Sequence, residues 1–579
     1  MNTSGPFEFL LILVVFLFSG CANQDTGSTS DVLRLRLRSE PDRLNPMLSR
    51  TTFASQIEKY LFLPLQDYDP HSLDLKPVLL ESKPEIEILN AGNQNDSMVF
   101  NLRIRDDAMW DNSTPVTGYD YLFTYKLAIN PFIEYLAWKN LTFAIADIVV
   151  DSLDPKAITV SLDQTYILAE EVVTGFNVYP EHVYDPNQVL RQLTFSDLRQ
   201  IDPSTSSEVL DSIRLLNDQF HSVRFSRDVV IGCGPYRLVS WTANQQLLLE
   251  KKENWWGSSL NHPLVVSNPD QIIYHFIPDE QTAISNLKDG NLDIAADLSA
   301  EGFQQLRTSQ SEHNLTLLNS KGFTYLYIGL NNAHPVLSDV LVRRALTHLV
   351  DVELLCNELF YGLAQPATGP IHPNSDYYRS GYKPISFDPE KSITLLNESG
   401  WQDSNNNGIR DKVINGKLTE LAFGIKITRS QLSQDVAILL KSQAAEVGIE
   451  IEILPQDFSV TLTQIRNRDY ELAALSSIQS PSLYDPYPTW HSHNANPTGS
   501  NYCHFMDVEA DEIIETLRQS VSDSTTIRRL YNDFQQIIYE RQPAIFLVSP
   551  TINLALRTNL KLESLKIRPG YYENLVVFD

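Results

Sequence analysis

The fold is decided by Gly232-Cys233-Gly234-Pro235-Tyr236-Arg237-Leu238, a stretch that runs on through Ser240-Trp241 to Trp255-Trp256-Gly257. Four further stretches accompany it in a fixed order along the chain: Trp110 to Leu122, Leu330 to Ala345, Phe387 to Gly408 and Ala444 to Tyr470. Each stretch is unspecific when taken alone, because a Gly-Pro turn or an Asp-Pro-Glu helix start occurs in many folds. Their order and spacing carry the prediction.

Length and charge limit the class of protein. A chain of 579 residues exceeds a single hydrophobic core, so two or three domains are expected. The net charge of -27, from 45 basic and 72 acidic residues, argues against nucleic-acid binding, which needs a basic stripe. A well-solvated acidic surface accounts for this charge.

The amino terminus has the pattern of a secretion signal. Residues 9–18 form an apolar run that is too short to cross a bilayer but long enough for a signal-peptide core. Ser19-Gly20-Cys21 then resembles the lipobox of bacterial lipoproteins, which predicts a lipid on Cys21 and removal of the residues before it. An uncleaved anchor is the alternative. The polar residues 22–30 are typical of a flexible tether.

The remaining cysteines are far apart. Cys233, Cys356 and Cys503 show neither a CxxC motif nor the ligand spacing of a metal site. One disulfide among them and three buried thiols are both compatible with the sequence.

Hydrophobic patterns predict alternating strands and helices. Residues 32–37 alternate between apolar and charged, as in a strand with one buried face, and a helix is expected over about Phe53 to Leu63. Thr117 and Asp120 form a capping box at a helix start, and Asp388-Pro389-Glu390 begins another helix. Residues 272–279 form a buried strand that leads into a helix, the ordinary unit of α/β proteins.

Motifs of the common enzyme classes are missing. The sequence contains no GxSxG, HExxH, Walker or GxGxxG motif, so we expect a protein without catalytic activity and without a cofactor. Local motifs do not cover catalysis by residues that are far apart in sequence.

Two segments are weak candidates for metal sites. Asp403, Asn405, Asn407 and Asp411 occupy positions 1, 3, 5 and 9 of a calcium loop, but Ile414 stands where a bidentate Glu is required at position 12. A polar Asn-rich turn is the simpler interpretation. Imidazoles at His491, His493 and His504 suit nickel or copper, but they lack helical i, i+4 spacing, and a solvent-exposed loop is the favoured interpretation.

Taken together, the five stretches resemble the extracytoplasmic solute-binding proteins of ABC importers, family 5, the peptide/nickel class. The Gly232 to Leu238 stretch with Trp255-Trp256-Gly257 is similar to the family's GTGPYKL and YWG blocks, and Trp110 to Thr117 to its FHDGTPLT segment. Arg468-Asp469-Tyr470-Glu471-Leu472 resembles its GDYDM strand entry. The resemblance implies an α/β, bilobal periplasmic-binding-protein-like fold of class II, of the three-domain, cluster C type.

The resemblance also implies a domain organisation. A signal peptide covers residues 1–21 and a tether residues 22–30. Domain I is discontinuous and combines 31–75, 225–320 and 542–579. Domain II is inserted at 76–224, and domain III, the opposite lobe, spans 321–541. In this family the lobes close on a solute, and the closed form docks on a membrane permease.

Ligand-binding residues are carried over from the matching blocks. The candidates are Arg50, Tyr325, Tyr327, Phe458, Ser477, Asp485 and Trp490. Peptide-binding relatives hold the peptide ammonium with an aspartate after the GDYDM strand, and Asp485 is the nearest carboxylate here. The same residue also fits a separate Asp-Pro turn of the family.

The resemblance predicts a monomeric, lipid-anchored binding protein in the cell envelope that carries a peptide or peptide-like solute to ABC permease subunits. A nickel-chelate or other solute is the alternative. A hydrolase or a structural surface lipoprotein is less favoured.

Overall fold

The computed structural model describes residues 31–89, 96–133, 142–205, 207–481, 483–521 and 523–579. The predicted signal peptide, the lipidation site Cys21 and the tether lie outside the described residues. No helix within these ranges combines the length and the hydrophobicity of a transmembrane segment.

Strands occur along the whole described chain. They are β1 (Val32–Leu37), β2 (Gln66–Tyr68), β3 (Leu75–Pro77), β4 (Glu85–Leu89), β5 (Ser97–Arg103), β6 (Ile145–Val150), β7 (Ala157–Leu162), β8 (Tyr236–Thr242), β9 (Gln246–Lys251), β10 (Gln271–Phe276), β11 (Ile294–Ala295), β12 (Leu315–Lys321), β13 (Thr324–Leu330), β14 (Ala364–Pro366), β15 (Asp411–Ile414), β16 (Lys417–Glu420), β17 (Ala422–Thr428), β18 (Glu450–Gln456), β19 (Leu472–Ile478), β20 (Ala544–Phe546), β21 (Val548–Arg557), β22 (Leu560–Lys561) and β23 (Val577–Phe578).

Helices alternate with these strands. They are α1 (Thr52–Glu58), α2 (Gly118–Ala128), α3 (Ala169–Thr174), α4 (Glu181–Tyr184), α5 (Phe195–Gln200), α6 (Glu208–Phe220), α7 (Glu280–Lys288), α8 (Ala300–Ser309), α9 (Val340–Thr347), α10 (Val352–Leu354), α11 (Pro389–Glu398), α12 (Gln431–Glu446), α13 (Phe458–Arg466), α14 (Tyr487–Trp490), α15 (Val508–Gln519) and α16 (Ser524–Arg541). A π-helical turn, Leu355–Leu359, follows α10.

An eight-stranded sheet, the large sheet, has the order β12-β21-β11-β1-β10-β9-β8, and β14 pairs with β21. Strands β10 and β11 run parallel to β1. Strand β21 is antiparallel to both β11 and β12, so β12 runs in the same direction as β1. A four-stranded sheet of order β4-β5-β7-β6 shares a continuous hydrophobic core with the large sheet. We call this body lobe 1.

A five-stranded sheet forms the second body, lobe 2. Its order is β18-β17-β19-β13-β20, with β17 parallel to both β18 and β19. Strand β13 is antiparallel to β19 and to β20. Residues Ile425, Ile427, Leu472 and Ile545 of this sheet are buried in a core of their own.

Two crossovers join the lobes. The first leads from β12 to β13 through Gly322 and Phe323, and the second leads from β20 to β21 through Leu547. The strands of lobe 2 all lie between residues 324 and 546 of the chain, and from this part of the chain β14 returns to pair with β21 of the large sheet.

The glycine stretch at residues 232–238 packs against the end of α1. The N–H of Gly234 donates to Leu61 O at 3.0 Å, and that of Tyr236 donates to Tyr60 O at 3.2 Å. A Cβ on Gly232 would come within 1.8 Å of Leu61 O, and one on Gly234 within 2.2 Å of Tyr60 O. Only glycine permits this approach of two backbones.

Most predicted elements are found, and one is shorter than expected. The Thr117–Asp120 capping box is present, and Asp388 caps α11. The helix predicted over about Phe53 to Leu63 is wrong in its length, because α1 ends at Glu58. Beyond this point the carbonyls of Tyr60 and Leu61 accept hydrogen bonds from the glycine stretch, a long-range contact that replaces the next helical turn.

The three described cysteines are buried free thiols. Burial raises the pKa of the Cys233 and Cys503 thiols to about 12. These thiols are therefore protonated and unreactive at neutral pH.

Candidate functional site

The sheet topology brings two edges face to face. In the large sheet the carboxyl ends of β1, β10, β11 and β12 lie at one edge, and the first crossover leaves from this edge. In lobe 2 the carboxyl ends of β17, β18, β19 and β20 lie at the edge where both crossovers meet the sheet. The two edges that the crossovers connect thus both consist of carboxyl ends, the place where open α/β sheets bind ligands, and we call the region between these edges the crevice.

A buried arginine organises the lobe 1 wall of the crevice. Arg36 is 3% exposed and donates to the carbonyls of Ile277 (2.9 Å), Pro278 (3.1 Å) and Ala296 (3.4 Å). These carbonyls follow β10 and β11. One side chain therefore holds the segments that leave adjacent strands at this edge.

The lobe 2 wall combines apolar and charged groups. Phe458, directly after β18, is 62% exposed, and Ile478, at the end of β19, is 52% exposed. An exposed ion pair joins Arg429, after β17, to Asp457 at 3.3 Å. Exposed aromatic and aliphatic side chains beside charges suit a ligand with both characters.

A buried histidine ties the two crossovers together. The N–H of Asn374 donates to His372 Nδ1 at 3.0 Å, so the proton of the neutral ring is on Nε2. Nε2 lies 2.6 Å from Ser549 Oγ, after the second crossover, and 3.3 Å from Thr324 O, after the first. Burial lowers the pKa of His372 to about 4. The ring is therefore neutral under physiological conditions.

Gln479 extends this group, which we call the hinge cluster: His372, Asn374, Gln479, Ser549 and Thr324. Gln479 Oε1 accepts the N–H of His372 at 2.8 Å, and its Nε2 donates to Pro370 O. Its backbone N–H donates to Phe323 O at 2.9 Å, within the first crossover. The hinge is thus fixed by uncharged hydrogen bonds.

A charged group joins the lobes away from the hinge. Asp485 of lobe 2 is buried, and its Oδ2 accepts from Arg518 Nε at 2.9 Å. The same oxygen accepts from Tyr166 Oη of lobe 1, also at 2.9 Å. Oδ1 accepts the N–H of Tyr487 at 2.9 Å.

Arg518 is the centre of this contact. Its guanidinium lies over the rings of Tyr487 (4.1 Å), Phe143 (4.5 Å) and Tyr166 (5.2 Å). Its backbone carbonyl accepts the N–H of Ile167 at 2.8 Å. The neighbouring Gln519 carbonyl accepts from Thr165 Oγ1 at 3.1 Å. Side chains and backbone of α15 are therefore bonded directly to lobe 1.

Glu171 of α3 lies where three parts of the molecule meet. Its Oε2 accepts from Tyr68 Oη of the β2–β3 hairpin at 2.7 Å. Its Oε1 is 3.4 Å from Ser480 Oγ, which follows β19 in lobe 2. A carboxylate thus stands beside the lobe 2 edge of the crevice.

Three of the predicted ligand-binding residues are buried together. Tyr325, Tyr327 and Trp490 are 1%, 7% and 1% exposed and pack in one cluster with Phe546 and Phe505. Burial raises the pKa of both tyrosines well above the usual value. Their contact with a ligand stays a prediction.

The other predicted residues are dispersed. Phe458 lies on the lobe 2 edge described above, and half-buried Ser477 pairs with Tyr325 across β19 and β13. Arg50 is exposed, and its backbone N–H donates to the carboxylate of Asp42 (3.1 Å). Asp485 is bonded to Arg518 and Tyr166. Whether these residues bind a ligand stays a prediction as well.

Sequence reasoning missed the residues that connect the lobes. Tyr166, Arg518, Glu171, His372 and Gln479 were not selected, since their partners are distant in sequence and no local motif marks them. A lone tyrosine or arginine on an amphipathic segment has no pattern that distinguishes an interlobe contact from an ordinary surface residue.

The metal candidates are built into local turns. Asp403 accepts the N–H groups of Asn407 and Gly408, and Asp411 accepts from Ser404. His491 Nδ1 accepts the N–H of His493, and its Nε2 lies 3.1 Å from Glu515. Within the described ranges, no three His, Cys, Asp or Glu side chains are grouped as metal ligands.

Comparisons with known proteins agree with this architecture. The profile of bacterial extracellular solute-binding proteins, family 5, middle region, matches residues 74–499. The oligopeptide-binding protein AppA of Bacillus subtilis (strain 168) is 24% identical over 567 residues, covering 95% of this chain and 94% of AppA.

Solved structures show the same fold. AppA from Bacillus subtilis in complex with a nonapeptide matches with a TM-score of 0.73 and 22% identity, covering 95% of this chain and 99% of AppA. NikZ from Campylobacter jejuni in complex with Ni(L-His) matches with a TM-score of 0.72 and 21% identity, covering 94% and 97%. The bilobal α/β fold expected from the sequence is confirmed.

Proposed function

Because the chain belongs to the bacterial extracellular solute-binding proteins of family 5, we propose that it is the substrate-binding component of an ABC importer and that it carries a peptide or peptide-like solute. The solute lies in the crevice between the lobes and is released unchanged. The closed form then docks on the permease.

The single observation that carries this proposal is that the two crossovers connect the carboxyl edge of the large sheet to the carboxyl edge of the lobe 2 sheet. Such an arrangement lets the lobes rotate about the crossovers while a ligand contacts both edges at once. Contacts made to both lobes exist only in the closed form, so the ligand shifts the protein toward closure.

A peptide is favoured over a metal chelate by the character of the lobe 2 edge. Phe458 and Ile478 offer exposed apolar surface that suits the side chains of a peptide. AppA, similar over nearly the whole chain, is an oligopeptide-binding protein. NikZ, whose structure holds Ni(L-His), keeps a nickel chelate as the second candidate.

The molecular organisation belongs to the same proposal. Lobe 1 corresponds to domains I (31–75, 225–320 and 542–579) and II (76–224), and lobe 2 corresponds to domain III (321–541). Cys21 carries the lipid that anchors a monomer on the outside of a membrane. The crevice binds without reacting, and no resident cofactor takes part.

Native mass spectrometry tests this proposal. The protein is purified without denaturation, and the mass of any co-purified solute is read directly. A peptide mass supports the main proposal, whereas a nickel–ligand mass selects the second candidate. A protein that neither carries nor binds peptides or chelates, and whose radius of gyration by small-angle scattering is unchanged by them, would overturn both.

A further inference from the structure

The contact around Arg518 joins the lobes through Tyr166, Asp485 and the backbone at the end of α15. We propose that Tyr166, Asp485 and Arg518 form a latch that holds the two lobes closed in the absence of a solute. The inference rests on the two-lobe closure of the proposed function, but it concerns the ligand-free protein.

The position of each group along the chain shows which bonds closure makes. Ala510 and Ile514 of α15 pack in one core with the lobe 2 strands β13 and β20, so the ion pair between Arg518 and Asp485 belongs to lobe 2 and survives opening. Tyr166 precedes the first crossover and belongs to lobe 1. The bond from Tyr166 Oη to Asp485 Oδ2 (2.9 Å) is therefore lost when the lobes separate.

Backbone bonds repeat the connection beside the latch. Ile167 N–H donates to Arg518 O at 2.8 Å, and Thr165 Oγ1 donates to Gln519 O at 3.1 Å. Phe143 and Tyr166 of lobe 1 also enclose the Arg518 guanidinium together with Tyr487 of lobe 2. Three consecutive residues of lobe 1 thus contact two consecutive residues at the end of α15.

The chemical groups of the latch form strong hydrogen bonds in the closed form. A hydroxyl that donates to a carboxylate forms a stronger hydrogen bond than one between neutral groups. Asp485 and Tyr166 are both buried, so water competes poorly for these bonds in the closed form. On opening, Asp485 keeps Arg518 and regains water, so the open form is also accessible. The latch is therefore reversible.

Amide hydrogen exchange at Ile167 reads the latch directly. The Ile167 N–H is bonded across the lobes, so its exchange reports opening. The full chain is dialysed until native mass spectrometry shows no bound solute. We expect the wild-type Ile167 amide to be protected, and Tyr166→Phe to exchange about tenfold faster.

Tyr121→Phe is the matched control. Tyr121 Oη donates to Val173 O at 2.7 Å, a buried bond within lobe 1, so this variant loses a comparable hydroxyl without touching the lobe contact. We expect its Ile167 amide to exchange as in the wild type. Arg518→Met is the second variant, and it should open the lobes further because Asp485 loses its cation.

Each other outcome overturns the latch. An unprotected Ile167 amide in the solute-free wild type shows that the lobes do not close alone. Unchanged exchange in both Tyr166→Phe and Arg518→Met shows that these contacts do not hold them. Equal acceleration in Tyr121→Phe shows a general loss of stability. None of these results affects solute binding by the same preparation, which tests the proposed function separately.

Discussion

The hinge cluster and the latch both connect the lobes, but they do so with different chemistry. The hinge cluster uses a neutral imidazole, an amide side chain and a hydroxyl, which are bonded to one another and to nearby backbone groups. The latch uses a carboxylate, a guanidinium and a phenol. The hinge cluster lies beside the two crossovers, whereas the latch joins residues of one lobe to residues of the other.

The two contacts therefore act on different equilibria: the hinge cluster on folding, and the latch on closure of the lobes. The crossovers must remain ordered in the open and the closed form, so the bonds of the hinge cluster contribute to the stability of the folded state. The latch exists only in the closed form, so breaking it shifts the balance between two folded states. When the latch is broken, the loss of stability cannot exceed the free energy of opening, because the charged side chains return to water once the lobes separate.

The largest effect is expected at the hinge. His372→Ala leaves Ser549 Oγ and the Asn374 N–H without their buried partner and removes the ring that fills this site. The free energy of unfolding should fall by about 3 to 4 kcal/mol. Chemical denaturation measures this value. The half-buried His313 makes a suitable control, since His313→Ala should change the unfolding free energy by less than about 0.5 kcal/mol.

Stability should also depend on pH through the same ring. Burial lowers the pKa of His372 from 6.5 to about 4, so the folded protein keeps the ring neutral where the unfolded chain protonates it. The contribution of the neutral ring to the free energy of unfolding is complete above pH 6.5. It is lost as the pH falls toward 4, by about 3 kcal/mol in total.

The difference in unfolding free energy between wild type and His372→Ala isolates this effect from other titrating groups. It should shrink steadily between pH 7 and pH 4. A difference that stays constant over this range would contradict the neutral, buried ring.

At the latch, Asp485→Asn should affect unfolding much less than the hinge variant. The amide keeps the shape of the carboxylate, and the open form relieves the weakened contact with Arg518, so the unfolding free energy should change by less than about 1 kcal/mol. Exchange of the Ile167 amide should nevertheless accelerate. A large loss of stability without lobe opening would show that the latch is part of the folding core.

The smallest effect concerns the choice of ligand. Mixed-sequence peptides are offered to wild type and Asp485→Asn in free and N-acetylated form, and binding is measured by calorimetry. If Asp485 acts only in the latch, the variant should weaken both forms equally and leave their ratio unchanged. If Asp485 instead holds the peptide ammonium, the preference for free peptides should disappear.

Local sequence patterns predicted most helices and strands, but they did not predict contacts between elements that are distant along the chain. The Thr117–Asp120 box and the Asp388 cap were predicted because capping depends on residues three positions apart. The predicted end of α1 was wrong because the carbonyls of Tyr60 and Leu61 accept hydrogen bonds from residues about 175 positions further along the chain. Propensity within a window does not contain that contact.

The candidate site divides in the same way. Phe458 was predicted from the family resemblance alone, and in the structure it begins the helix that follows β18. Its contact with a ligand stays a prediction. Tyr325 and Tyr327 lie two positions apart in β13, and both pack with Trp490 in one buried cluster. The sequence did not distinguish a cleft wall from such a cluster. Tyr166 and Arg518 are more than 350 residues apart, and nothing in the sequence pairs them.

By itself the sequence determined the α/β class, the glycine stretch at 232–234, the helix caps and the membership of a solute-binding family, since each depends on residue types at short or recurrent spacing. The tertiary structure alone decided which edges face each other, which polar side chains cross between lobes and which aromatic rings are buried. These features depend on contacts between residues that are distant along the chain, whose geometry exists only after both sheets have formed.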